Sequence, residues 1–245
     1  MVKTINSIPA DLQRSCGLSI RPREDYLQLS KEDKAIYDIA IHGIAGISGC
    51  VHEGDYLLNI GCGISGLSQL SNAVGTSGKV VGVDICPKDI QIAKEIIKNL
   101  DLGNVEVYFA NACDLYEGDS EIYDTVIISE VLHTLPTKYA SAVLDDASKL
   151  CKTNLYVSAL ASDLQDIILG EAEESRFGES WKKEFFVKEA AFYSGKEIVS
   201  EIQSRGFSTE IYTIPLNQVF PISRFNDSAY LHHIFAKKIV LDIII

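Results

Sequence analysis

The sequence predicts an α/β fold in which a doubly wound, mostly parallel sheet is covered by helices on both faces. Short apolar segments typical of buried strands alternate along the chain with longer segments whose apolar residues recur at helical spacing. A glycine-rich turn, Gly61-Cys62-Gly63-Ile64-Ser65-Gly66, joins the first of these strands to its helix. The size also fits, since 245 residues with 47% hydrophobic and 23% charged residues can bury one substantial core.

The individual elements follow from apolar spacing and from capping residues. Ser30 is a candidate N-cap for a helix over residues 30–47, which leads into the core. Proline at or just before the first turn favours helices over 87–100 and 137–150. A shorter helix is predicted over 65–74. Apolar runs predict strands over 56–60, 79–83, 105–109, 123–129 and 155–159.

The alternation breaks after the fifth strand. Residues 162–191 are acidic, then basic and aromatic, and we expect an insertion that covers the substrate side of the sheet. A helix over 195–204 should end at Gly206, and strands over 208–214 and 229–240 should close the fold. We therefore expect a helical segment or lid over residues 1–50 and one main domain over residues 51–245.

Composition excludes several function classes. A net charge of -12 and a pI near 4.8 oppose binding to a phosphate backbone, so no nucleic-acid partner is expected. The six cysteines form no Cys-x-x-Cys pair, which argues against a disulfide framework and against a metal site. No apolar run approaches the length of a membrane span, and the N-terminus lacks secretory features, so a cytoplasmic location is expected. The apolar residues 240–245 leave a monomer or a homodimer open.

The glycine-rich turn and a later carboxylate have the layout of a nucleoside-binding site. Glycine at 61 and 63 allows a tight turn and close approach of the backbone to a ligand. Asp84 ends the second strand at the distance from which a carboxylate binds both ribose hydroxyls of an adenosine. A nicotinamide reductase of the short-chain type would also need Lys four residues after Tyr, and no tyrosine here has it.

Four segments together resemble the motifs of class I S-adenosylmethionine-dependent methyltransferases. Residues 59–63, Asn-Ile-Gly-Cys-Gly, are similar to the first motif, and residues 81–85 to the second. Residues 109–115 resemble the adenine-contacting third motif, and residues 123–136 the fourth. The resemblance extends over roughly residues 54–238 and implies a Rossmann-like sheet of seven strands with an antiparallel last strand and helical additions. It also implies S-adenosyl-L-methionine as cofactor and a small-molecule acceptor.

The resemblance assigns the cofactor contacts. The backbone around Gly61, Cys62 and Gly63 would face the methionine part, and Asp84 the ribose. Ile85 would pack on the adenine face, while Asn111, whose amide can accept and donate, and Ala112 would line the adenine edge. Ser129 at the end of the fourth strand completes the expected set. The family usually has Asp or Glu where this chain has Asn59, so we expect reduced rather than absent cofactor affinity.

Methyl transfer is an in-line displacement, so the protein mainly has to align the acceptor and exclude water. If a general base exists, His133 is the first candidate because it lies just beyond the fourth strand and titrates near neutral pH. Glu130 is a companion candidate, for positioning the substrate or the amino group of the cofactor. Two alternatives stay open: a protein that binds S-adenosylmethionine or S-adenosylhomocysteine without transfer, which Asn59 favours, and a less favoured NAD-dependent oxidoreductase.

Overall fold

A computed structural model describes residues 2–7, 30, 49–115, 122–135, 137–160, 195–215 and 230–239. Within them, seven strands and four α-helices alternate along the chain. The strands are β1 (Tyr56–Ile60), β2 (Lys79–Asp84), β3 (Val105–Phe109), β4 (Tyr123–Ser129), β5 (Cys151–Leu160), β6 (Phe207–Pro215) and β7 (Tyr230–Lys238). The helices are α1 (Leu67–Val74), α2 (Pro87–Asn99), α3 (Thr137–Leu150) and α4 (Gly195–Gln203).

The strands form one sheet in the order β3-β2-β1-β4-β5-β7-β6. The first five run parallel to one another, while β7 lies between β5 and β6 and is antiparallel to both. This order confirms the predicted α/β fold with a mostly parallel, seven-stranded sheet and an antiparallel last strand.

Helices pack on both faces of the sheet, as a doubly wound fold requires. On one face, α1 and α2 cover alternate residues of β1 to β4, with a buried core that includes Leu57, Leu67, Leu70, Val80, Ile90 and Ile127. On the other face, α3 and α4 cover the intervening residues, including Leu58, Val126, Leu144, Val157, Ile198 and Ile202. The two cores fix the rotation of every strand, and so the direction of each side chain at the strand ends.

Two elements begin two or more residues away from their predicted start. Strand β5 begins at Cys151, four residues earlier than predicted. Cys151 is buried, but the next three residues are polar, so no apolar pattern marked this start. Lys152 pairs with Asp124, and Asn154 donates to the carbonyl of Cys50 at 3.0 Å. Helix α1 begins at Leu67, two residues later than predicted, because Gly66 has a φ of 73° and still belongs to the turn.

The N-terminal residues contact the far edge of the sheet. The Ile5 amide donates to the carbonyl of Phe109 at the end of β3, and Lys3 forms an ion pair of 2.9 Å with Asp114. The predicted helix over 30–47 and the insertion over 162–191 lie outside the described residues, apart from Ser30. None of the helices seen in the described ranges has the length and apolar character that a membrane crossing needs.

Candidate active site

The candidate site lies where the strand order reverses. From β1 the chain adds β2 and β3 on one side and then β4 on the other, so the carboxyl ends of β1 and β4 are neighbours. Ile60 at the end of β1 pairs with Val83 of β2 and with Ile128 of β4. In open α/β sheets, ligands bind in the crevice outside such a reversal.

The glycine-rich turn after β1 forms one wall of this crevice. The amides of Gly61 and Cys62 both donate to the carbonyl of Val83, at 2.8 and 3.0 Å, which holds the turn over β2. Gly61 and Gly63 have φ values of 69° and 50°, in the left-handed region that favours glycine. A side chain at position 61 would collide with Val131, whereas nothing lies within 4 Å of the place a Cβ would take at Gly63. Gly63 therefore leaves open space for a ligand.

Asp84 at the end of β2 faces the same turn. Its Oδ2 accepts a hydrogen bond of 2.9 Å from the Gly63 amide, and its Oδ1 accepts one of 2.8 Å from the Cys86 amide. An ionised carboxylate only accepts hydrogen bonds, as the hydroxyl groups of a ribose require. The side chain is thus fixed at the turn with the acceptors that a ribose diol needs.

Asn59 lies beneath the turn, on the α1 and α2 side of the sheet between Gly82 and Ile127. It has no exposed surface, and neither its Oδ1 nor its Nδ2 has a hydrogen-bond partner among the described residues. A buried amide without partners costs free energy, so such a group is usually satisfied by water or by a ligand. A polar cofactor is one group that would satisfy this amide.

Cys62 is placed differently from the other turn residues. Its side chain is buried in the core between the sheet and α1, and a Cβ on Gly82 would lie 2.9 Å from its sulfur. Burial, with smaller contributions from Asp84 and Asp89, raises the pKa of the Cys62 thiol well above its ordinary value. Only the backbone of Cys62 therefore borders the crevice.

The residues expected to contact adenine lie at the ends of β2 and β3. Ile85 and Ala112 are half-buried and pack against the core on the α3 side. The Asn111 Oδ1 accepts a hydrogen bond of 3.1 Å from the Cys113 amide, which closes a local turn. One lone pair of this oxygen is thus used within its own loop, while Nδ2 is the donor that would meet a base edge.

Glu130 directly follows β4 and is held by β5. It has a φ of 59°, a strained conformation for a residue other than glycine and one that often marks a functional site. Its amide donates to the carbonyl of Ser158 at 3.0 Å, and its Oε1 accepts a hydrogen bond of 2.9 Å from the Ser158 hydroxyl. Burial raises the pKa of the Glu130 carboxyl group to about 7, although the Ser158 hydrogen bond opposes that rise.

Three further residues complete this description. Ser129 is buried, and its hydroxyl lies 2.9 Å from that of Ser158. His133 lies in a short 3-10 helix, Leu132–Thr134, just beyond β4, but its side chain is outside the described part of the structure. Sequence reasoning missed Ser158, although its place near the end of the strand that follows the Ser129-Glu130 loop was a usable signal.

Among the described residues, no group of three or more His, Cys, Asp or Glu side chains is arranged to hold a metal ion.

The fold and the crevice are those of class I methyltransferase domains, the class that uses S-adenosyl-L-methionine. Residues 51–240 match the family model described as a methyltransferase domain, and the chain belongs to that family. The sequence resemblance to this class is thereby confirmed.

Curated relatives match over part of their length. A ribosomal protein L11 methyltransferase from Clostridium botulinum (strain Eklund 17B / Type B) is 29% identical over 129 residues, which are 52% of this chain and 38% of the relative. A demethylmenaquinone methyltransferase from Oceanobacillus iheyensis is 38% identical over 88 residues, which are 35% of this chain and 36% of the relative. The chain thus spans less than two fifths of the length of these relatives.

Solved structures match over most of the chain. Magnesium protoporphyrin IX methyltransferase from Synechocystis PCC 6803 with bound S-adenosylhomocysteine is 20% identical, with a TM-score of 0.58 over 86% of this chain and 89% of that one. The [4+2]-cyclase SpnF is 12% identical, with a TM-score of 0.59 over 87% of this chain and 84% of that one. At these identities the two structures show a shared fold.

Proposed function

We propose that this protein transfers the methyl group of S-adenosylmethionine to a small-molecule acceptor at an oxygen, nitrogen or carbon atom. The single observation that carries the proposal is the fixed carboxylate of Asp84, hydrogen-bonded to the Gly63 amide at the crevice. The cofactor supplies a methyl carbon already activated by a sulfonium group. The protein then has to bind, orient and desolvate the reactants.

In this proposal different residues of the crevice contact different parts of the cofactor. Asp84 accepts the ribose hydroxyls, and the backbone at Gly61, Cys62 and Gly63 borders the methionine part. Ile85 and Ala112 pack against adenine, with the Nδ2 of Asn111 at its edge. The buried, unsatisfied amide of Asn59 faces the amino-acid end, either directly or through water. Ser129 contributes indirectly, because its hydroxyl group is hydrogen-bonded to that of Ser158.

Glu130 is the better supported of the two candidate bases. The carboxyl group lies at the end of β4, next to the strand reversal, and its pKa of about 7 lets it gain or lose a proton near neutral pH. His133, three residues further on, stays a second candidate on the basis of its position alone.

Similarity to a demethylmenaquinone methyltransferase supports the small-molecule acceptor, because the 88 matched residues are 38% identical. The L11 methyltransferase keeps a protein acceptor as the competing possibility.

We also propose a cytoplasmic protein, monomeric or homodimeric, without a nucleic-acid partner.

A second candidate function is binding of S-adenosylmethionine or S-adenosylhomocysteine without methyl transfer. Asn59 favours it, because a neutral amide replaces the usual acidic residue beneath the turn. The cyclase described above is consistent with this alternative, since it shares the fold but is named for a [4+2] cyclisation and not for methyl transfer.

One assay separates these possibilities. The protein is incubated with S-adenosylmethionine and, in separate arms, with demethylmenaquinone, a panel of phenols and amines, and purified ribosomal protein L11. Release of S-adenosylhomocysteine and the mass of each product are measured. Methylation of a small molecule supports the proposal, and methylation of the protein alone overturns the acceptor class. Cofactor binding by calorimetry without methylation in any arm favours the second candidate.

A further inference from the structure

Ser158 on β5 is the centre of a buried hydrogen-bond network at the crevice. Its hydroxyl group donates to Glu130 Oε1 at 2.9 Å and lies 2.9 Å from the hydroxyl oxygen of Ser129. Its carbonyl also accepts the Glu130 amide, at 3.0 Å. Ser158 has no exposed surface, and it holds Glu130 through both main chain and side chain.

Counting protons gives the direction of these bonds. A serine hydroxyl group has one hydrogen to donate and two lone pairs that accept. Because Ser158 donates to Glu130, the bond between the two serines must be donated by Ser129. When Glu130 takes up a proton, it can donate to Ser158, which then donates to Ser129. Donor and acceptor thus exchange roles in each hydrogen bond. The carboxyl group stays hydrogen-bonded to Ser158 in either protonation state.

We propose that Ser158 is a positioning residue for methyl transfer, which fixes the Glu130 carboxyl group and, with Ser129, lets it accept a proton from the methyl acceptor. This inference rests on the proposed function and extends it to the class of acceptor. Such a carboxylate can take a proton from a methyl acceptor whose attacking atom carries one, such as a hydroxyl or an N–H group.

The reaction balances with these residues. The proton of the acceptor passes to the Glu130 carboxylate, and the electron pair of the broken O–H or N–H bond remains on the acceptor atom. That atom forms the new bond to the methyl carbon, while the electrons of the carbon–sulfur bond stay on sulfur. The products are a methylated acceptor, S-adenosylhomocysteine and a protonated Glu130.

Among the side chains that the structure describes, Glu130 is the member of the network that changes charge near neutral pH. Tyr156 on β5 interacts electrostatically with Glu130 and hydrogen-bonds Ser158, but burial raises the pKa of its phenol, which therefore stays protonated. On β7, the register places His233 opposite Ser158. The pKa of the Glu130 carboxyl group near 7 matches the proton-accepting role.

The test measures the titration of Glu130 directly and needs no known acceptor. The full chain is labelled with ¹³C at the glutamate carboxyl carbons, and the resonance that Glu130→Gln removes is followed with pH. Wild type should titrate near pH 7. Ser158→Ala removes a donor to the charged form, so the midpoint should rise by about one pH unit. Ser129→Ala should give a smaller rise, because it acts through Ser158.

Two further variants keep the test decisive. Ser158→Thr retains the hydroxyl group and should titrate like wild type. Ser148→Ala also removes a buried hydroxyl group, one that donates to the Leu144 carbonyl within α3, and should leave the midpoint unchanged. If Ser158→Ala does not fold, the Glu130 titration midpoints of Ser129→Ala and Ser158→Thr are compared with that of wild type instead.

The inference is overturned if Ser158→Ala titrates with the same midpoint as wild type, even if methyl transfer is found. If Ser158→Ala does not fold, an unchanged midpoint in Ser129→Ala overturns it instead. A shifted midpoint without methylation of any acceptor would instead refute the proposed function, while Ser158 would remain the residue that positions Glu130.

Discussion

Gly61 at the end of β1 lies directly against the side chain of Val131, which follows β4 by two residues. The contact joins the glycine-rich turn to the loop that carries Glu130. The two walls of the crevice are therefore one packed unit, and a change in one should move the other.

Replacing Gly61 with Ala should destabilise the protein and weaken cofactor binding. The new methyl group would collide with Val131 at a φ of 69°, and the expected loss is about 2 kcal/mol or more of unfolding free energy. Urea denaturation measures it. Adding Val131→Ala should recover part of the loss. Gly63→Ala, with open space at its Cβ, should cost only about 1 kcal/mol. Equal losses at both glycines would contradict the steric explanation.

Asp84→Ala should lower the affinity for S-adenosylhomocysteine at least about tenfold, since hydrogen bonds to a charged acceptor contribute about 1.5–3 kcal/mol. Isothermal titration calorimetry gives the constants. Asp124→Ala is the matched control, because Asp124 also accepts a backbone amide, that of Tyr56 at 2.9 Å, but at the opposite end of the strands. Unaltered affinity in Asp84→Ala would remove the basis of the cofactor assignment.

Asn59→Asp should tighten the binding of S-adenosylhomocysteine by about tenfold, because a carboxylate at this fully buried position attracts the ammonium group of the ligand. The same change should lower the melting temperature of the ligand-free protein at pH 8, where a charge would be buried without a partner. Asn59→Leu is the control and should bind more weakly than wild type. If Asp and Leu at this position bind equally, Asn59 does not face the ammonium group.

Glu130→Gln should remove a pH dependence of stability. In wild type the folded-state pKa of this carboxyl group is about 7, above its ordinary 4.5, so the folded state binds the proton more tightly than the unfolded state. The unfolding free energy should therefore fall as pH rises from 4.5 to 7. The fall amounts to at most about 3 kcal/mol.

Denaturation at pH 4 and pH 8 tests this. The neutral glutamine should be more stable than wild type at pH 8 and similar to it at pH 4, below the ordinary pKa, where both side chains are uncharged. A constant difference at the two pH values would show that Glu130 does not titrate in this window.

The sequence predicted most of the fold because its strands are buried on both faces and read as continuous apolar runs. β1, β3, β4 and α3 begin and end where the pattern placed them. The polar start of β5 was missed, because residues 152–154 are held by an ion pair and a side-chain hydrogen bond rather than by apolar packing.

The site was only partly predictable. The glycine turn and Asp84 stand close together in the sequence and have recognisable spacing, so they were found. Ser158 lies 28 residues from its partner Glu130, and only the pairing of β4 with β5 brings them together. The inward direction of the Cys62 side chain likewise depends on tertiary packing.

The position of β7 has a consequence for synthesis of the protein on the ribosome. β6 leaves the ribosome before β7, yet β7 must lie between β6 and β5 in the finished sheet. Until residue 238 has emerged, β6 has no partner strand and one edge of β5 stays open. Late in translation the nascent chain thus carries two more unpaired strand edges than the finished sheet. This is the stage at which intermolecular strand pairing and chaperone capture would compete with completion of the fold.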